Sequence, residues 1–159
     1  MLDGSFSATA SRLRGLRVLI VEDSWLIAKA VRGFLEDAGI VIEGVAAGVI
    51  DAELLACERA PELAVVDLKL RDGMAFGLID RLHDLGIRVV VISGFSTFSA
   101  PITKAAAVLQ KPFGGIELVA AVCDALAGRR QQENSSCVPG GSEFGTDEND
   151  RGIADARQR

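Results

Sequence analysis

Val18-Leu19-Ile20-Val21-Glu22-Asp23 is the stretch whose reading decides the fold: an unbroken apolar run that ends in two adjacent carboxylates. A continuous run of β-branched and aliphatic residues, bounded by polar ones, reads as a strand buried on both faces of a parallel sheet. The same arrangement returns three times. Leu63-Ala64-Val65-Val66 leads into Asp67, Val89-Val90-Val91-Ile92 into Ser93, and Ala107-Val108-Leu109-Gln110 into Lys111-Pro112. Ligands of open α/β sheets bind beyond the carboxyl ends of the strands, so these groups should meet in one pocket. Three carboxylates, a hydroxyl and an ammonium would converge there.

Helical spacing fills the intervals. Ser24 is placed to cap a helix with apolar positions Ile27, Ala30, Val31, Phe34, Leu35 and Ala38, and Gly39 ends it. A strand over Val41 to Ala46, a helix over Asp51 to Arg59, the strand Leu63 to Asp67 and a helix over Ala75 to Leu85 follow. Next come the strands Val89 to Ser93 and Ala107 to Gln110, then a helix from about Ile116 to Ala127, stopped by Gly128. Such alternation with short connections predicts a parallel sheet covered by helices on both faces. Between residues 96 and 106, Pro101 interrupts a stretch with little helical period, so the fourth helix region is expected to be shortened. Residues 1–15 read as a mobile leader or frayed helix, 16–128 as the domain, and 129–159 as a disordered polar tail. That tail is too poor in apolar residues to offset its ordering entropy.

Composition narrows the function. With 159 residues, 49% of them hydrophobic, there is material for one well-buried domain. A formal net charge of −5 and the lack of Lys/Arg clusters in the core region exclude a general nucleic-acid surface. Cys57, Cys123 and Cys137 form no CxxC pair and fit reduced thiols. No apolar run has the length of a signal-peptide core or approaches the roughly 20 residues that span a bilayer, so a cytoplasmic protein without a membrane partner is expected.

Carboxylates gathered at strand ends repel one another unless a cation intervenes. Magnesium suits best, because it takes oxygen ligands at about 2.0–2.1 Å and commonly bridges carboxylates to a phosphoryl group. Helix capping by Glu22 or Asp23 accounts for one acid but leaves Asp67 unexplained. Asp67 is the candidate nucleophile, since a carboxylate can accept a phosphoryl group as an acyl phosphate. A metal on one side and Lys111 on the other would neutralise the transferred group, with Ser93 as a further donor. Lys69 and Arg71 either steer an anionic donor and slow the attacking water or form a solvated charged loop. His83 lies off the apolar helix face, and Trp25 sits either on the pocket rim or against a neighbour.

VLIVED (18–23), VVDLKLRDG (65–73), VVVISG (89–94) and VLQKPF (108–113) occur in this order, separated by helices. Over roughly Leu16 to Ala127 the set resembles the receiver domain of two-component response regulators. The resemblance implies a flavodoxin-like, doubly wound five-stranded parallel sheet of order 2-1-3-4-5. It implies that Asp67 is the phosphoacceptor, and that Asp23, Asp67 and the backbone carbonyl of Lys69 bind Mg2+ directly while Glu22 acts on it indirectly. Ser93 and Lys111 would sense the phosphoryl group, the Lys111-Pro112 bond would be cis, and Gly73 matches the usual loop glycine. The implied partner is a sensor histidine kinase or a histidine phosphotransfer protein. Such a chain catalyses its own phosphorylation and dephosphorylation without being a turnover enzyme.

Two positions depart from the family pattern. Arg71 stands in a loop where proline is common, and Val108 falls where a switch aromatic is usual, leaving Phe95, Val108 and Pro112 as the expected switch surface. Ser93-Gly94-Phe95 with VLQKPF is similar to a subgroup of stand-alone alphaproteobacterial receivers. The tail lacks the pattern of a helix-turn-helix, so output is expected through protein contacts or onward phosphotransfer. Two alternatives remain: a receiver-like binding module that does not depend on phosphate, and a haloacid-dehalogenase-like phosphatase. The second wants an Asp where Lys69 stands.

Overall fold

Consecutive side chains of a strand point to opposite faces, so an apolar run must bury two layers at once. The computed structural model, which describes residues 11–94 and 102–128, meets that demand with a five-stranded parallel sheet. Its strands are β1 (Arg17–Val21), β2 (Val41–Ala46), β3 (Leu63–Asp67), β6 (Arg88–Ser93) and β7 (Ala107–Gln110), in the spatial order β2-β1-β3-β6-β7. This is the order 2-1-3-4-5 of the expected doubly wound sheet. Two short strands, β4 (Lys69–Leu70) and β5 (Gly73–Met74), form a separate antiparallel hairpin that sequence patterning did not reveal.

Val18, Ile20, Val65, Val90 and Ile92 face one core, where α1 (Trp25–Asp37) and α4 (Gly115–Ala127) pack. Leu19, Val21, Ala64, Val66, Val89 and Val91 face the other, beneath α2 (Val49–Arg59) and α3 (Phe76–Asp84). α1 and α4 come close enough that a Cβ at Gly115 would lie 2.8 Å from Cδ1 of the Phe34 ring. No helix among the described residues is long and apolar enough to cross a membrane.

Several local expectations shift. The buried positions of α1 are Ala28, Val31 and Leu35, so Ala28 and not Ala30 faces the core. Ser24 occupies the N-cap position, but its side chain makes no capping hydrogen bond; its backbone N–H donates instead to Glu22 Oε1 at 3.0 Å. Leu85, placed above as the last residue of the third helix, follows the end of α3 and is exposed. Leu13, within the segment read as a leader, is buried, and the Gly15 N–H donates to the Gly39 carbonyl at 2.9 Å. The part of the proposed fourth-helix region that can be described, 102–106, contains no helix, while residues 95–101 and the tail from 129 lie outside the described residues.

Leu118 is fully buried on α4 and Ile116, two residues earlier, is 85% exposed. Leu118→Ala is expected to lower unfolding free energy by about 2–5 kcal/mol through lost transfer and a residual cavity. Ile116→Ala should stay within about 0.5 kcal/mol. Urea denaturation of the two variants checks this contrast.

Candidate functional site

The right-handed β–α connections of a parallel sheet put every strand's carboxyl end on one edge. There β1 delivers Glu22 (4% exposed) and half-buried Asp23, β3 delivers Asp67 (6%), β6 delivers Ser93 (1%), and the turn after β7 delivers Lys111. Carboxylate oxygens of Glu22, Asp23 and Asp67 lie within 4.8 Å of one another. Lys111 Nζ is 2.8 Å from Asp67 Oδ2 and 3.4 Å from Glu22 Oε2. The Lys69 backbone N–H donates to Asp67 Oδ1 at 3.3 Å.

Backbone hydrogen bonds carry the ladder past the strand ends and hold these groups. Leu68 N–H donates to the Ile92 carbonyl at 2.9 Å and Lys111 N–H to the Ser93 carbonyl at 2.7 Å. The Lys111-Pro112 bond is cis. Of the expected switch surface, Val108 and Pro112 are exposed, and Phe95 falls outside the described residues.

Burial disfavours the Glu22 carboxylate and Asp67 repels it; the Ser24 amide and Lys111 act in the opposite sense, and the balance raises its pKa. Burial also works against the Lys111 ammonium, but the hydrogen bond and charge of Asp67, followed by those of Glu22, outweigh it and raise its pKa. Lys111 is therefore charged at neutral pH. Three carboxylates face one buried-side ammonium, an excess of negative charge in a low-dielectric site. The oxygen-only donor set suits a hard divalent cation, which would relieve that repulsion.

Two features went unread in the sequence. Arg71 Nε lies 3.5 Å from Asp23 Oδ2, although nothing in the spacing indicates that pairing. Asp72 Oδ2 accepts a hydrogen bond from Val49 N–H at 3.0 Å, capping α2 from a distant loop. The Asp72-Gly73 dipeptide, a strong hairpin signal, could have located this turn. Trp25 is 68% exposed, with Lys29 Nζ 5.7 Å from its ring centroid, and His83 is likewise exposed.

A family model described as the response regulator receiver domain matches residues 18–123. The chain belongs to this receiver family. The photosynthetic apparatus regulatory protein RegA of Cereibacter sphaeroides is 30% identical to this receiver over 87 residues, covering 54% of this chain and 47% of that protein. The crystal structure of the response regulator PhyR from Brucella abortus superposes with a TM-score of 0.67 at 28% identity, over 77% of this chain and 52% of that one. The receiver thus spans about half the length of both. A CheY-like receiver domain protein from Methanospirillum hungatei shares the fold, with a TM-score of 0.65 at 24% identity over 71% of this chain and 94% of that one.

The raised pKa of Glu22 has a definite consequence for stability. Folding favours the protonated carboxyl, so this contribution is full below the ordinary value of 4.5 and is lost as pH rises through the folded-state value. Glu22→Gln mimics the protonated form. In magnesium-free buffer it is expected to raise the urea midpoint at neutral pH, with the gain shrinking toward pH 4; an unchanged or lower neutral-pH midpoint would contradict the cost assigned to the buried charge.

Proposed function

We propose that the receiver is a phosphoacceptor in a two-component phosphorelay, taking a phosphoryl group from a phosphohistidine partner onto Asp67. The observation that carries this reading is the convergence of Glu22, Asp23, Asp67 and Lys111 from three separate strand ends. A purely structural acid has no need of two neighbouring carboxylates and a lysine at 2.8 Å.

In the proposed step a carboxylate oxygen of Asp67 attacks the phosphorus of the phosphohistidine. The O–P bond forms as the P–N bond breaks, and the electron pair remains on the imidazole nitrogen, which is then protonated. The product is an aspartyl acyl phosphate. Asp23, Asp67 and the Lys69 carbonyl would hold Mg2+, with Glu22 acting on it indirectly; the ion supplies charge neutralisation for the phosphoryl oxygens when bound. Lys111, already on Asp67 Oδ2, would transfer its hydrogen bond to a phosphoryl oxygen, and the buried Ser93 hydroxyl would donate to another. Water attack on the same phosphorus would return the carboxylate and inorganic phosphate.

Lys111 follows the edge strand β7 and Ser93 ends its neighbour β6, and the two are joined by the hydrogen bond from Lys111 N–H to the Ser93 carbonyl. Movement of these two groups toward the phosphoryl oxygens would therefore alter the surface around Val108 and Pro112. That surface is where a downstream protein would sense phosphorylation. The acidic charge of the chain fits protein partners in the cytoplasm and no nucleic acid.

Acetyl phosphate with magnesium is expected to add one phosphoryl group to the chain, measured by intact mass, and Asp67→Asn should abolish the addition. Labelling that survives this substitution would remove Asp67 from its role.

A further inference from the structure

Arg71 stands at the mouth of the pocket with its side chain 83% exposed, yet its Nε lies 3.5 Å from Oδ2 of Asp23. A long exposed side chain usually loses rotamer entropy for little return in such a pair, so something must hold the residue that carries it. The hairpin does so. Lys69 pairs with Met74 and Leu70 with Gly73, which leaves Arg71 and Asp72 as the turn. Gly73 closes it at a φ of 128°, a conformation that side chains rarely adopt.

Asp72 fixes the other side of the turn. Its Oδ2 accepts from Val49 N–H at 3.0 Å at the first turn of α2, where negative charge is favoured. A Cβ at Gly48 would lie 2.9 Å from that same oxygen, so the approach is fitted to a glycine. Arg71 is thereby presented from a backbone anchored by a strand ladder and by a helix cap. Lys111 engages Glu22 and Asp67, and Arg71 supplies the cation beside the third carboxylate.

We propose that Arg71 is a positioning residue that occupies Asp23 until a divalent cation displaces it. The inference rests on the reading of this pocket as a magnesium site. Competition for one carboxylate is reciprocal: whatever the guanidinium costs the metal in affinity, the metal costs the ion pair. Metal loading and release of Arg71 to the rim are then one equilibrium, and the guanidinium becomes free beside the phosphoacceptor only when the pocket is charged with metal. A metal-free pocket keeps the carboxylate repulsion partly neutralised from within.

The test is a magnesium chloride titration of the full chain, followed by the amide resonances of the pocket and the Arg71 Nε–H signal. Wild type is compared with Arg71→Gln and with Lys69→Gln, which removes the same charge from the same hairpin. The Arg71→Gln variant is expected to bind magnesium about two- to fivefold more tightly at low ionic strength, the range set by an exposed ion pair. The gain should exceed that of Lys69→Gln and shrink as salt is raised. In wild type the Arg71 Nε–H signal should move with the same midpoint as the pocket amides. Equal affinity of wild type and Arg71→Gln, or an equal gain from Lys69→Gln, would overturn the role of Arg71 while leaving the metal site standing. No saturable binding in any of the three would overturn the metal reading and this inference together.

Discussion

The ion pair between Lys111 and Asp67, 2.8 Å across and separated by 44 positions in the chain, is the contact on which the rest of the site depends. It forms only if β7 and β3 run in the same direction and end at the same edge of the sheet. An antiparallel partner at either position would carry one of the two groups to the opposite edge. Burial makes the pair consequential. The low local dielectric that penalises the Glu22 carboxylate also strengthens the attraction between Lys111 and the acids it touches. One ammonium cannot balance three acids, however, and even with Arg71 beside Asp23 the cluster keeps an excess of negative charge that a divalent cation would relieve.

That imbalance is held in place by a scaffold with no interest in the chemistry. Every residue of β3 is buried, and its neighbours β1 and β6 are apolar on both faces, so the strand ends cannot relax apart to relieve the repulsion. Packing is close to that of an organic crystal in such interiors, and it transmits strain without yielding to it. Hydrophobic burial on two faces therefore sustains an electrostatic arrangement that would be unfavourable alone.

Much of this was legible in the amino-acid sequence. The strand ends carrying Glu22, Asp23, Asp67, Ser93 and Lys111 could be read because apolar runs and their polar terminators are local features, and the α/β alternation fixes which edge they share. The helices α2 and α4 began within one or two residues of the expected positions, since Gly48 and Gly114 are weak caps and the terminal turn is set by tertiary contact. What could not be read was relative rotation and reach. Ala28 faces the core in place of Ala30 because the sheet, not the periodicity, chooses the buried stripe of α1. Ser24 looks like a capping side chain until Glu22, two residues upstream, takes its backbone N–H. The bridges from Arg71 to Asp23 and from Asp72 to α2 join segments whose proximity only the folded hairpin creates.

The central claim is that the negative charge left over by Lys111 gathers one divalent ion between β1 and β3. Crystals grown with manganese in place of magnesium, measured at the manganese absorption edge, test it most directly. The account predicts a single strong anomalous peak within coordination distance of both Asp23 and Asp67, with Lys111 still on the far side of Asp67. A peak placed elsewhere on the chain, or a pocket with no peak at saturating manganese, would contradict it.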